Sequence, residues 1–149
     1  MVPILFLDFE ACLRPWSYIR SQGGELSLKE VEPEAKNLVN ELLFNVPRLK
    51  IVLISEFRIG RSVKEIKNLL GDHYYISGSI IDTTPILKGQ GELQEIKHWI
   101  RTSKIKVGNY SIVSSDPRSF FEDDEDFFEI DSEEGMTEEL YLKVLNHLL

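Results

Sequence analysis

The sequence predicts an α/β fold, a parallel sheet covered by helices on both faces, and three observations carry the prediction. Short apolar runs alternate with amphipathic stretches along the whole chain. The first two runs, residues 3–8 and 50–54, are apolar on both strand faces, as buried parallel strands are. The first run ends in an acid, Asp8, at its carboxyl end, which is where open α/β sheets bind ligands.

Each element has its own local signal. Residues 3–8 read as strand one. Residues 9–31, with Gly23-Gly24, read as a long connection with little regular structure. Residues 33–46 read as a helix, with Pro33 in its first turn, Leu38, Val39, Leu42, Leu43 and Val46 at helical spacing, and Pro47 as a stop. Strand two, 50–54, ends at Ser55. Ser62 and Glu65 have capping-box spacing and open a helix to about Leu70, which Gly71 ends. Residues 73–76 read as a short third strand. Residues 91–102 read as a helix with Leu93, Ile96, Trp99 and Ile100 on one face. Residues 109–113 and 127–130 read as strands four and five, and Gly135-Met136-Thr137 leads into a last helix carrying Leu140, Val144, Leu145 and Leu148.

The bulk composition narrows the field. A chain of 149 residues with 42% hydrophobic and 28% charged residues suits one globular domain, 1–149, with a sizeable core. Its net charge of −8 and pI of about 4.9 disfavour nonspecific nucleic-acid binding, which needs Lys and Arg against phosphate. The acidic run Glu122-Asp-Asp-Glu-Asp126 reads as a solvated loop, or as a surface for a basic protein partner. One cysteine, Cys12, allows no intramolecular disulfide. No apolar stretch approaches the ~20 residues that cross a bilayer, and no signal peptide is visible. A cytoplasmic, soluble protein is the expectation.

Right-handed crossovers bring the carboxyl ends of strands one, two and four to one edge. That edge would receive Asp8, Ser55 and Asp116, with Lys88 ahead of the helix that feeds strand four. These are the parts of phosphoryl transfer through an aspartate. Asp8 would attack phosphorus, Ser55 would bond a phosphoryl oxygen, Lys88 would neutralise charge, and Asp116 would hold magnesium by its oxygens. Plainer roles stand beside each. Asp8 could cap a backbone amide, Ser55 could close a turn, Lys88 could be a solvated helix-entry lysine, and Asp116-Pro117 could start a turn. Arg58 suits either a substrate anion or a nearby carboxylate.

Four stretches resemble the haloacid dehalogenase (HAD) superfamily, closest to the small HAD domains of Swiss Army Knife RNA repair proteins. Leu5-Phe-Leu-Asp-Phe-Glu-Ala-Cys-Leu13 resembles the first HAD motif, Asp-x-Asp-Gly-Thr/Val. Val52-Leu-Ile-Ser-Glu-Phe-Arg58 resembles the group's Ser-x-Trp-Arg. Lys88-Gly89 with Glu95-Ile96-Lys-His-Trp99-Ile100 resembles its basic-Gly and Glu-Ile-x-x-Trp-Leu helix. Asp131-Ser-Glu-Glu-Gly-Met-Thr137 resembles its Asp-x-x-x-Gly-Leu-Thr. The resemblance implies a nearly capless, Rossmann-like three-layer sandwich with strand order 5-4-1-2-3. It also implies a Mg2+-dependent phosphatase acting on a phosphorylated substrate, with Asp8 as nucleophile and metal ligand, Glu10 as acid/base and metal ligand, and Asp116 completing the metal site. The chain departs from the pattern at Glu10 (Asp in the motif), Ala11 (Gly), Cys12 (Thr or Val), and at Ser114 and Ser115, where the group carries an acidic pair. Those departures keep a second expectation alive: a HAD-like scaffold that has lost catalysis and serves as a binding or regulatory module.

Overall fold

The computed structural model describes residues 1–116 and 124–149. Five strands, β1 (Val2–Leu7), β2 (Lys50–Leu53), β3 (Ile80–Thr83), β4 (Val107–Ser114) and β5 (Phe127–Glu129), form one sheet in the order β3-β2-β1-β4-β5. All four pairings are parallel. This is the order the resemblance implies, and the fold is α/β and Rossmann-like.

The central strands are buried on both sides because their residues alternate between two cores. Leu5, Leu7, Ile51, Leu53 and Val113 face one core, while Ile4, Phe6, Val52, Ile54 and Ile112 face the other. The first core is closed by α1 (Phe9–Leu13), α3 (Pro33–Asn45), α4 (Val63–Leu70), α5 (Tyr75–Ser79) and α7 (Glu138–Leu148). The second is closed by α6 (Glu92–Thr102) through Leu93, Ile96 and Trp99. In the second core, the rings of Phe6 and Trp99 meet edge to face at 5.6 Å. A short helix, α2 (Trp16–Ser21), lies outside both.

Chain direction produces a switch point at β1. From β1 the chain adds β2 and β3 on one side, with α3 and α4 on one face. It then crosses by α6, on the opposite face, to β4 on the other side of β1. A parallel sheet whose strand order reverses between β1 and β4 opens a crevice at their carboxyl ends. Asp8 is the first residue past β1, so it sits at the mouth of that crevice.

Local signals hold where they were strongest. The Ser62–Glu65 capping box is formed in both directions, Glu65 N–H to Ser62 Oγ at 3.1 Å and Ser62 N–H to Glu65 Oε1 at 3.2 Å. Two readings need correction. Residues 9–31 contain the helices α1 and α2, because Ala11, unlike a glycine, suits helical backbone. The third strand is Ile80–Thr83, not 73–76. Residues 75–79 are instead the helix α5, seated on α3 by buried Ile76 and by the Ile76 N–H bond to Asn40 Oδ1 at 3.1 Å. A tertiary contact there overrides the strand propensity of His73-Tyr-Tyr-Ile76. The acidic run lies partly outside the described residues: 122 and 123 are not described. Among the described residues no helix is long and apolar enough to cross a membrane.

Candidate active site

Asp8 extends β1 by one bond, its N–H donating to Val113 O at 3.0 Å, and then caps α1. Its Oδ1 accepts from Ala11 N–H at 3.3 Å and from Ser55 Oγ at 3.5 Å, and its Oδ2 accepts from Ser115 Oγ at 3.3 Å. Three elements therefore aim one carboxylate: the helix after β1, the end of β2 and the end of β4. Ser55 is itself fixed, because its Oγ accepts from the buried Phe9 N–H at 2.7 Å.

The cleft around Asp8 has a volume of about 490 Å3. Glu10 and Ala11 line it from α1, Ser55 and Glu56 from the segment after β2, and Ser115 and Asp116 from the segment after β4. Asp116 reaches the cleft because the chain bends directly after β4: Asp116 N–H donates back to Ser114 Oγ at 3.2 Å. Glu10, two residues past Asp8 in the first turn of α1, lines the cleft and reaches solvent. Lys88 is exposed and does not line the cleft. The structure thus brings Asp8, Glu10, Ser55 and Asp116 to one cleft and leaves Lys88 outside it.

Two cleft residues carried no signal of their role in the sequence. Glu92, in the first turn of α6, reads locally as an acid that complements the helix dipole. In the fold it lines the cleft, and its Oε2 accepts from Ser114 Oγ at 2.6 Å. Ser114 stands where the resembling group has an acid, so α6 supplies a carboxylate where β4 lacks one. Arg14 also lines the cleft and is buried. Its guanidinium donates to Ser27 O, to Glu30 O at 2.9 Å and to Leu26 O at 3.2 Å, pinning the 26–30 segment, while its Nε has no partner.

The electrostatics follow from burial among like charges. Burial raises the Asp8 pKa against the pull of its three donors, and Glu56 adds to the rise. Glu10 is raised first by desolvation and then by Asp8, with Arg14 opposing. Burial pushes Glu92 up to about 7; Ser114 lowers it, and Asp8 and Asp116 raise it. Carboxylates crowded in low dielectric hold protons to higher pH than free ones, and for Glu92 this puts acid and base forms within reach near neutral pH. Burial pushes the Cys12 thiol up well beyond its usual range, so Cys12 is an inert core residue.

The remaining motif residues are structural. Arg58 and Glu95 form a buried ion pair at 3.0 Å. Arg58 also donates to Ile54 O, Ser55 O and Thr84 O, and Glu95 Oε2 accepts from Leu87 N–H at 2.9 Å. Together they tie the ends of β2 and β3 to α6. Gly135 adopts a φ of +77°, and a Cβ there would stand 2.8 Å from Cys12 O. The motif around it clamps α1 and α2: Met136 N–H donates to Cys12 O, Trp16 N–H to Ser132 O and Ser17 N–H to Glu133 O.

A parallel sheet with its switch point at an aspartate, and a nearly capless cleft of carboxylates there, define a HAD-like domain. The family model described as the HAD domain in Swiss Army Knife RNA repair proteins matches residues 4–140, and the chain belongs to that family. At that coarse level it is a HAD-like hydrolase or phosphatase domain. No match emerged among curated proteins or among solved structures.

Proposed function

We propose that this domain is a Mg2+-dependent phosphohydrolase that acts through an aspartyl-phosphate at Asp8. The observation that supports it best is the triple hold on Asp8 at the switch point, with Glu10 two residues on in the same cleft. An Asp8 oxygen attacks phosphorus while the bond from phosphorus to the ester oxygen breaks. Glu10, whose pKa is raised by desolvation and by Asp8, gives a proton to the departing oxygen. Glu10 then takes a proton from water as the water oxygen attacks the acyl phosphate, releasing phosphate and freeing Asp8. Ser55 and Ser115 orient Asp8 throughout.

The donor set fits a magnesium ion in kind. Asp8, Glu10 and Asp116 offer hard oxygen ligands. Among the described residues no three such groups stand ready to hold an ion by themselves. An ion bound by one or two carboxylates would keep several waters and take substrate phosphate as a further ligand, as magnesium commonly does. It would supply the positive charge that Lys88 does not bring to the cleft.

The test is release of phosphate from an aryl phosphate. Turnover that needs magnesium and disappears in Asp8→Asn supports the proposal. The same observation of charge keeps the second reading, a HAD-like binding or regulatory module. Among the described residues the cleft is lined by the acids Asp8, Glu10, Glu56, Glu92 and Asp116 and by one cation, Arg14, which is engaged by carbonyls. Absence of turnover over a broad phosphate panel at millimolar magnesium, with no thermal shift from magnesium and beryllium fluoride, would select that module. The acidic run of residues 122–126 in the sequence would then be its contact for a basic partner.

A further inference from the structure

The cleft has an apolar wall that the chemistry of Asp8 does not use. Trp16 and Ile19, on successive turns of α2, line it beside Ala11. Trp16 is 56% exposed, whereas the other tryptophan, Trp99, is 5% exposed and bonded through Nε1 to Asp82 Oδ2. A lone exposed tryptophan means little on a surface. This one stands at the mouth of a carboxylate cleft on a backbone held in place: Pro15 precedes it, its N–H donates to Ser132 O at 3.0 Å, Ser17 N–H donates to Glu133 O at 3.2 Å, and Arg20 pairs with Glu133. A rigid indole face with no role in the core is what stacking on a flat group requires.

The charges around it decide how many phosphates the occupant carries. Among the described residues, five acidic side chains share the cleft with Trp16, and the one cation that lines it, Arg14, is spent on the carbonyls of Leu26, Ser27 and Glu30. A polyanion would meet repulsion along its length. A single phosphate has to be accommodated only once, at Asp8.

We propose that Trp16 is a stacking platform and that the substrates are monophosphate esters carrying one flat aromatic group. This statement of substrate class rests on the phosphohydrolase reading of the cleft. Trp16 is a specificity residue, since it meets the organic part of the ester and not the reacting phosphorus.

Benzyl phosphate and cyclohexylmethyl phosphate test it, because they match in size and in the type of departing oxygen and differ in aromaticity. The expected KM is about threefold to tenfold lower for benzyl phosphate. Trp16→Phe keeps that preference and Trp16→Ala abolishes it, with the loss falling on KM more than on kcat. Equal KM values for the two esters in the unaltered domain overturn the proposal. A binding arm separates this from failure of the phosphohydrolase reading itself. Benzylphosphonate, which cannot be hydrolysed, alters the tryptophan fluorescence of the unaltered domain and leaves that of Trp16→Phe unchanged, where only buried Trp99 remains. If neither ester is turned over while an aryl phosphate is, the proposed substrate class is overturned; if no phosphate of the broad panel is turned over either, the phosphohydrolase reading falls. Fluorescence that does not respond to saturating benzylphosphonate then removes the platform as well, and a response confined to the Trp16 signal retains it as a binding surface for flat rings.

Discussion

Arg58 and Glu95, 37 residues apart in sequence, meet in a buried pair at 3.0 Å that fastens the floor of the cleft. The two stretches that contain them look in sequence like parts of a reaction site. In space they are a brace, with Arg58 on the carbonyls at the ends of β2 and β3, and Glu95 on the loop that enters α6. The catalytic geometry depends on it, since Ser55, which orients Asp8, is also bonded through its carbonyl to Arg58.

Removing one partner of that pair leaves the other charge buried and uncompensated. Glu95→Gln is expected to cost about 3 kcal/mol or more of unfolding free energy, measured by urea titration. A double change of Arg58 and Glu95 to apolar residues should recover part of the loss. A cost under about 1 kcal/mol for Glu95→Gln would show that the pair is not the brace described here.

Asp8 sets catalysis against stability. Its pKa is raised by burial, so the fold favours the protonated form and the ionised form destabilises it. The penalty is absent below the unfolded pKa near 3.8 and grows as pH rises through the folded value. Asp8→Asn, which cannot ionise, is expected to melt higher than the unaltered domain at pH 7.5 and to lose turnover. Melting curves at pH 7.5 in EDTA decide it, and a lower melting temperature for Asp8→Asn would refute the burial argument.

Glu92 gives a pH window with both ends in view. Its folded pKa is about 7 against an ordinary value of 4.5, and the same sign applies: stability drains as pH climbs from 4.5 to about 7 and is level above that. Glu92→Gln should match the unaltered domain at pH 4.5 and exceed it increasingly up to pH 7. Chemical unfolding in EDTA across that range is the measurement, and a gap that does not depend on pH would sink the assignment.

Gly135 and Gly60 make a controlled pair, since both have positive φ, +77° and +73°. Nothing lies within 4 Å of a Cβ at Gly60, so Gly60→Ala should cost only the left-handed backbone penalty, about 1 kcal/mol. At Gly135 the same methyl meets Cys12 O at 2.8 Å and Pro15 Cγ at 2.9 Å. Gly135→Ala should therefore lose clearly more, about 2–4 kcal/mol, by adding steric strain. It should also disturb turnover, because α1 and α2 carry Glu10 and Trp16. Equal losses at the two glycines would mean that the clamp yields freely.

The sequence alone determined the class of fold, the order of its strongest elements and the placing of Asp8 at a strand end. Those features are local: side-chain period, capping residues and the handedness of crossovers decide them within a few residues or by a general rule. The third strand escaped because it is an edge strand that pairs only with β2, and it needs no continuous apolar run. The polar Asp82 and Thr83 disguise it. Ser55, Glu10 and Asp116 were legible as companions of Asp8, and both readings of Lys88 stood open, whereas the cleft positions of Glu92 and Trp16 were not legible. Tertiary structure decided those, because α6 and α2 dock by packing and by bonds to residues far along the chain. No local pattern records which side of a docked helix will face a carboxylate.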